Sequence, residues 1–505
     1  MAVVFLAVVL APVSLASSTP LPRHLAGLDE HVVSAMLTME LPGLALTVVD
    51  ESGVVITKGY GVRETASLDK VNEDTLFEIG SITKTFTATA VATLVEKGDI
   101  NWTTPLKEHI PYFELNDPYV TDAFTLADGL SHRGGYLDSY YYDINPDMGR
   151  KELIHRLKYE KPSTPFRTGF EYHNAIFAVA AEVIPALTGD SWESVVQERI
   201  LDPLGMNSTL LTSDDIKGHR NIAVPHVLKT GGMMSFSRRT GEADPIPEAG
   251  SILSNAKDMA RWCQFQLGDK ALMDKVPVSS ETIVQMRTQY ASGTFSWFDK
   301  WGYGNRRAGY GLGWQLFDYR QDADQLVSHG GSVDGIQSWM VFSPRNKYCI
   351  VMMSNGDWSG DSAHFAIANW IQDRYLQLDK TDWISEVLQS DRDAMVEQVQ
   401  QRSSKEGKNT AIPFSQPITD YAGEYSNPSY GELSVKPSGD ELYIQLGSYK
   451  TVAEHWRGEV FFLDWAQPGD ANAFMTFGVS PRGEITGLLL VWAGDKFEFR
   501  RVPKN

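Results

Sequence analysis

Phe77-Glu78-Ile79-Gly80-Ser81-Ile82-Thr83-Lys84-Thr85-Phe86 is the stretch on which the reading of this chain turns. Ser81 and Lys84 form an S-x-x-K pair, and residues three apart on a helix share a face. A serine hydroxyl is a weak nucleophile at neutral pH and needs a base beside it. The pair therefore has chemical meaning only if a helix starts at the serine. Ile82, Phe86, Ala90, Val91, Leu94 and Val95 recur at helical spacing, and Gly98 stands where a C-terminal cap belongs. A serine in the first turn also lies at the positive end of the helix dipole, which favours an oxyanion. Roughly one or two S-x-x-K matches arise by chance in a chain of this length. Ser67–Lys70 and Ser254–Lys257 are such matches, and neither joins a strand-like run to a long apolar helix.

Working outward, Leu21 to Glu40 has the apolar spacing of an amphipathic helix ended by Pro42-Gly43. Leu44 to Val49 and Val54 to Val62 are β-rich runs parted by Asp50-Glu51-Ser52-Gly53, a hairpin with a four-residue turn. Helical segments follow over Lys151 to Tyr159, Tyr172 to Leu187, Trp192 to Ile200 and Asn255 to Leu267. From Gln325 to Ser354 the pattern returns to strands, with Ser343-Pro344-Arg345-Asn346 as a turn. Strands at both ends and helices between them suit one sheet built from both chain ends, an α/β (α+β) architecture with helices packed on the sheet. Residues 376–413 read as a helical connector and polar linker, and 414–505 as a separate all-β domain, sandwich or barrel.

Two more short motifs carry chemistry. Tyr172-His173-Asn174 opens an apolar helix: a tyrosine beside an ammonium can move a proton, and an amide can bond both a lysine and a substrate carbonyl. His329-Gly330-Gly331-Ser332 lies at the end of a strand-like run, where glycines admit a close backbone approach and the Ser332 N–H could join that of Ser81 at an oxyanion. Each motif alone is compatible with a helix cap or a glycine turn. Their order and settings together are specific. A literal Lys229-Thr230-Gly231 lies far upstream of the late strands and reads as a turn.

On these motifs the chain resembles the serine β-lactamase and penicillin-binding protein superfamily, in its class C and peptidase S12 branch, over about Leu21 to Tyr375. Leu41-Pro42-Gly43, Ser131-His132-Arg133-Gly134-Gly135, Pro203-Leu204-Gly205-Met206 and Ala249-Gly250-Ser251 extend the likeness. The resemblance implies a β-lactamase/transpeptidase-like antiparallel sheet flanked by helices. It implies Ser81, Lys84 and Tyr172 as catalytic residues, and Asn174, His329, Gly330, Gly331 and Ser332 as substrate-binding residues. The C-terminal part is similar to the lipocalin-like β domain appended to such hydrolases. His329 replaces the lysine of K-T-G, which puts β-lactam hydrolysis in doubt. The implied activity is hydrolysis of an ester, amide or D-amino-acid peptide through an acyl-enzyme, with no cofactor. The alternative from another class is an extracellular matrix or binding protein that keeps the fold.

Composition bounds the rest. The formal net charge of −19 disfavours nucleic acid and anionic membrane surfaces as partners and leaves a small-molecule or peptide substrate. Met1 to Ala16 is apolar and too short to span a bilayer comfortably, and Ser14-Leu15-Ala16 suits a cleavage site, so residues 1–16 read as a signal peptide and the protein as secreted. Asn101-Trp102-Thr103 and Asn207-Ser208-Thr209 are glycosylation sequons. No metal-ligand spacing or nucleotide fingerprint is present. Cys263 in a helix-like stretch and Cys349 in a strand-like one read as two buried free thiols. The oligomeric state is left open.

Overall fold

The computed structural model describes residues 21–138, 148–229, 232–235, 246–293, 303–320, 323–390, 412–439, 441–465, 473–492 and 495–503. Residues 1–16, read from the sequence as a signal peptide, lie outside the described residues. Among the described residues, twelve strands precede residue 360: β1 (Gly43–Asp50), β2 (Gly53–Gly61), β3 (Phe77–Glu78), β4 (His226–Lys229), β5 (Gly232–Ser235), β6 (Leu253–Ser254), β7 (Ala291–Ser292), β8 (Tyr303–Tyr310), β9 (Gln315–Tyr319), β10 (Asp324–Val333), β11 (Ile336–Ser343) and β12 (Tyr348–Ser354). Eight of them form one sheet in the order β2-β1-β12-β11-β10-β9-β8-β7. β1 pairs antiparallel with β12, so the two ends of this region close one sheet, as the sequence pattern implied.

The first hairpin is tighter than its turn signal. Asp50 and Gly53 are themselves paired, leaving two residues in the loop, and a bulge at Val48/Val49 absorbs the difference. β1 and β12 are buried on both faces, which is why they read as unbroken apolar runs. Ala45, Val49, Val351 and Met353 face one core, and Leu44, Leu46, Ile350 and Met352 face a second beneath α1 (Leu28–Thr38) and the Trp358–Tyr375 helix. The expected helix over Leu21–Glu40 is thus shorter, with a separate 3-10 turn at Arg23–Leu25.

The Ser81 helix begins as a 3-10 turn at Gly80–Ile82 and continues as α2 (Thr83–Lys97), with Gly98 closing it in the left-handed conformation. Every residue from Thr83 to Leu94 is buried, so α2 is a central helix. Its threonines survive there because their hydroxyls find carbonyls, as in Thr85 to Ile82 (2.7 Å), Thr87 to Glu248 (2.8 Å) and Thr89 to Thr85 (2.8 Å).

One expectation on connectivity is corrected, and another lies partly outside the described residues. Cys263 and Cys349 are not free thiols: they form a disulfide that ties the Ala256–Gln266 helix to β12 across 86 residues of sequence. Helix packing over the sheet sets the two α-carbons 5.8 Å apart, a proximity that sequence spacing does not encode. Lys229 ends β4 and pairs with Gly232 in a two-stranded hairpin apart from the main sheet, while Thr230 and Gly231 lie outside the described residues.

Residues 383–390 are helical and pack on the second core: Trp383 donates its indole N–H to Asp373 (2.7 Å), and Val387 is buried. The C-terminal part is a closed eight-stranded barrel running from Gly423–Asn427 to Asp495–Arg501. Its inward positions, among them Leu433, Ile444, Phe461, Met475 and Leu490, are buried side chains. Arg156 of the first region donates to the Ser429 carbonyl (2.9 Å).

Candidate active site

Three contacts hold the S-x-x-K turn. β3 pairs with β6, and the Ile79 N–H donates to the Ile252 carbonyl (2.9 Å), which lays the Ala249–Ser254 stretch alongside. Ser338 Oγ on β11 donates to the Ile79 carbonyl (2.7 Å). Gly331 on β10 presses against the same turn: a β-carbon there would stand 1.9 Å from the Ile79 oxygen. Gly80, at φ +50°, faces back, and a β-carbon on it would lie 2.8 Å from the Ser332 nitrogen. Glycine is needed at both positions so that two backbones can touch.

Lys84 is wholly buried, one turn along from Ser81. Its ammonium donates to Ser81 Oγ (3.2 Å), Asn174 Oδ1 (2.6 Å) and the Ala249 carbonyl (2.7 Å), which uses its three donors. The Lys84 nitrogen lies 4.9 Å from the centre of the Tyr172 ring and 5.6 Å from that of Phe177. Tyr172 precedes the helix rather than opening it. The helix opens one residue after His173, at Asn174–Ala181, and His173 caps it by accepting from the Ile176 N–H (3.3 Å). The Tyr172 segment is pinned on both sides: Asp138 N–H donates to the Tyr172 carbonyl (3.3 Å), and Asp138 Oδ2 accepts from the Asn174 N–H (2.7 Å).

His329, Gly330, Gly331 and Ser332 lie within β10, short of its end. On the β11 side the pairing continues to Val333, whereas on the β9 side it stops at Ser328 opposite Gln315. Among the described residues the backbone from His329 onward therefore has a ladder on one side only, next to the Ser81 turn. His329 itself is buried, with its Nδ1 2.6 Å from the Gly330 carbonyl and its Nε2 2.7 Å from the Tyr310 hydroxyl. Burial, helped by the Lys84 charge, lowers its pKa to about 3.

The structure thus gathers the S-x-x-K turn, the Y-x-N segment and the glycine strand at one place. It adds residues that the motifs did not name as site residues. Tyr310, fully buried at the end of β8, holds His329. Ala249 contributes a backbone carbonyl, which no side-chain pattern announces. His132 lies 4.2 Å, ring to ring, from Tyr172 and 4.8 Å from Tyr310. Its backbone is left-handed (φ +56°), and in the sequence only the following Gly134-Gly135 pair hinted at a special turn there. Burial, then the charge of Lys84, keep the His132 imidazole well below its ordinary pKa. Among the described residues no cluster of His, Cys, Asp and Glu could hold a metal ion.

Sheet, helix and site together define a protein of the β-lactamase and transpeptidase type, and the sequence comparison agrees: the chain belongs to the beta-lactamase family, whose model matches residues 28–372. Residues 408–502 match a domain of unknown function (DUF3471). Among curated proteins it is similar to the unguisins hydrolase ungD' of Aspergillus campestris, at 28% identity over 83% of this chain and 78% of that one. It is also similar to penicillin-binding protein 4 of Amycolatopsis lactamdurans, at 25% identity over 63% and 81%. Among solved structures, the octameric penicillin-binding protein homologue from Pyrococcus abyssi superposes with a TM-score of 0.60 at 20% identity, covering 94% of this chain and 99% of that one. These likenesses reach hydrolase activity of the beta-lactamase type and the fold.

Proposed function

We propose that the chain is a serine hydrolase that acts through an acyl-enzyme on an ester, amide or D-amino-acid peptide. The observation that carries this reading is the buried Lys84 ammonium, 3.2 Å from Ser81 Oγ and oriented by Asn174 and Ala249. With one member of the pair in its basic form, Lys84 and Tyr172 take up between them the proton that Ser81 Oγ gives up as it bonds to the substrate carbonyl carbon. The bond to the leaving group breaks, and the same pair returns the proton to it. Water then adds to the acyl carbon and releases the acid, freeing Ser81. The Ser81 and Ser332 N–H groups are the oxyanion donors of this scheme, supported by the contact of Gly80 with Ser332. The open side of β10 offers an extended substrate a backbone ladder. A relative named as a hydrolase of unguisins and another named as a penicillin-binding protein support substrates of peptide type.

Secretion is part of the proposal. A disulfide suits an oxidising compartment, and Asn101 and Asn207 of the two sequons are exposed. The test is a panel of aryl esters, a chromogenic cephalosporin and D-amino-acid peptides with Ser81→Ala as control. Loss of a nucleophile costs on the order of a million-fold in turnover. Turnover retained by Ser81→Ala would mean another nucleophile, and no turnover by wild type on any substrate would leave the binding-protein alternative.

A further inference from the structure

His329 occupies the position at which the resemblance sets a substrate-binding side chain, yet its ring has no hydrogen-bonding capacity to spare. The Gly330 carbonyl can only accept, so Nδ1 carries the hydrogen. Nε2 is then a lone pair, and it accepts from the Tyr310 O–H. Tyr310 is fully buried and packed edge-on to the same imidazole, so the pair is fixed and uncharged. The tautomer of His132 follows in the same way. Its Nδ1 accepts from the His173 N–H (3.1 Å), so Nε2 is a buried N–H donor, without a partner among the described residues. Lys84 is a cation, but its three donors are committed to Ser81, Asn174 and Ala249. Arg133, next to His132, and Arg167 are both bonded to Asp128.

The described walls of the site are therefore neutral rings and committed charges. A substrate carboxylate lying against β10 would lose its water without gaining a cation among the described residues, which is costly for a buried charge in general. It would also approach through the field of a chain carrying −19.

We propose that the part of the substrate lying against the His329–Ser332 edge carries no free carboxylate: the site takes esters, amides and carboxyl-blocked peptides, and discriminates against the corresponding acids. The inference rests on the reading of Ser81 as the acylated nucleophile and names the substrate class for it. Tyr310 is then a positioning residue, which keeps His329 turned inward as an acceptor and leaves the edge uncharged.

The test uses the full chain and two N-acyl-alanyl thioesters, in both alanine enantiomers, whose thiol leaving group ends either in a free carboxylate or in the matching amide. Released thiol gives kcat/KM, and protection of Ser81 from a fluorophosphonate label gives relative occupancy where turnover is slow. The amide should exceed the acid by at least about tenfold, mainly in KM, and His329→Lys should narrow that gap by about tenfold. Equal or better use of the acid by wild type, or equal or stronger protection by it, overturns the inference, whether or not the variant folds. A wild-type Ser81 that takes no fluorophosphonate label would overturn the acyl-enzyme reading instead.

Discussion

Replacing Gly331 by alanine should cripple the enzyme while leaving most of the fold intact. A β-carbon at Gly331 would stand 1.9 Å from the Ile79 carbonyl oxygen and 2.4 Å from Ser338 Oγ. Carbon and carbonyl oxygen settle at about 3.3 Å or more, so β10 and the Ser81 turn must part by more than about 1 Å. The Ser338–Ile79 hydrogen bond spans the same gap and would stretch or break, a loss of about 1 kcal/mol in stability. The catalytic effect is larger, because the displacement separates the Ser332 N–H from Ser81. A misplacement of about 1 Å can cost roughly a hundredfold, about 2.7 kcal/mol of transition-state stabilisation. Gly330→Ala is the control: its β-carbon would meet the Trp339 ring at 3.1 Å and leaves the turn untouched, so it should lose far less activity. The assay is kcat/KM on an aryl ester, with circular dichroism and a melting curve for each variant. A folded Gly331→Ala protein within about threefold of wild type would refute the claim that this contact holds the site together.

Three further outcomes are expected. His364 is buried with neither ring nitrogen hydrogen-bonded among the described residues, and burial lowers its pKa to about 3. An unfolded imidazole takes a proton near pH 6.5, so its contribution to stability is full above that pH and falls by about 1.4 kcal/mol per unit as pH drops towards 3; His364→Met should flatten the acid side of a denaturation profile, and an unchanged slope would count against a neutral buried His364. Reducing the Cys263–Cys349 bond, or Cys263→Ala with Cys349→Ala, should cost about 2–5 kcal/mol and lower the melting midpoint; identical melts with and without reductant would mean that the two sulfurs are not joined in solution. A chain ending at Ser390 should keep its ester hydrolysis, whereas one ending at Tyr375 loses the buried Trp383 and Val387 and should melt lower, since large core side chains contribute about 2–5 kcal/mol each; a folded but inactive 1–390 protein would mean that the barrel completes the site.

Much of this was legible because it is written in period and punctuation. β1, β12 and α2 announce themselves as apolar runs of strand or helix length, and Gly98 and the Glu51-Ser52 turn mark where chain direction changes. Ser81, Lys84 and Asn174 could be proposed as partners because each motif fixes a side chain on a local element. What joins those elements was not legible. The pairing of Cys263 with Cys349 depends on how a helix settles over the sheet. Tyr310 sits in a strand among other aromatic residues, and only the tertiary fold brings its hydroxyl to His329. The Ala249 carbonyl belongs to the backbone, and any residue there would supply it. The inward turn of His329 is likewise a property of its neighbours: the letters H-G-G suggest a substrate ligand, and the packing gives an acceptor for Tyr310.

The central claim is that Ser81, next to Lys84, carries the acyl group. Brief reaction with a fluorophosphonate or a slow aryl ester, followed by intact mass and peptide mapping, reads this directly. One adduct per chain, located on Ser81 in the Phe77–Phe86 stretch and absent from Ser81→Ala and Lys84→Met, is the predicted result. An adduct mapped to any other residue, or equal labelling of wild type and Ser81→Ala, would contradict it.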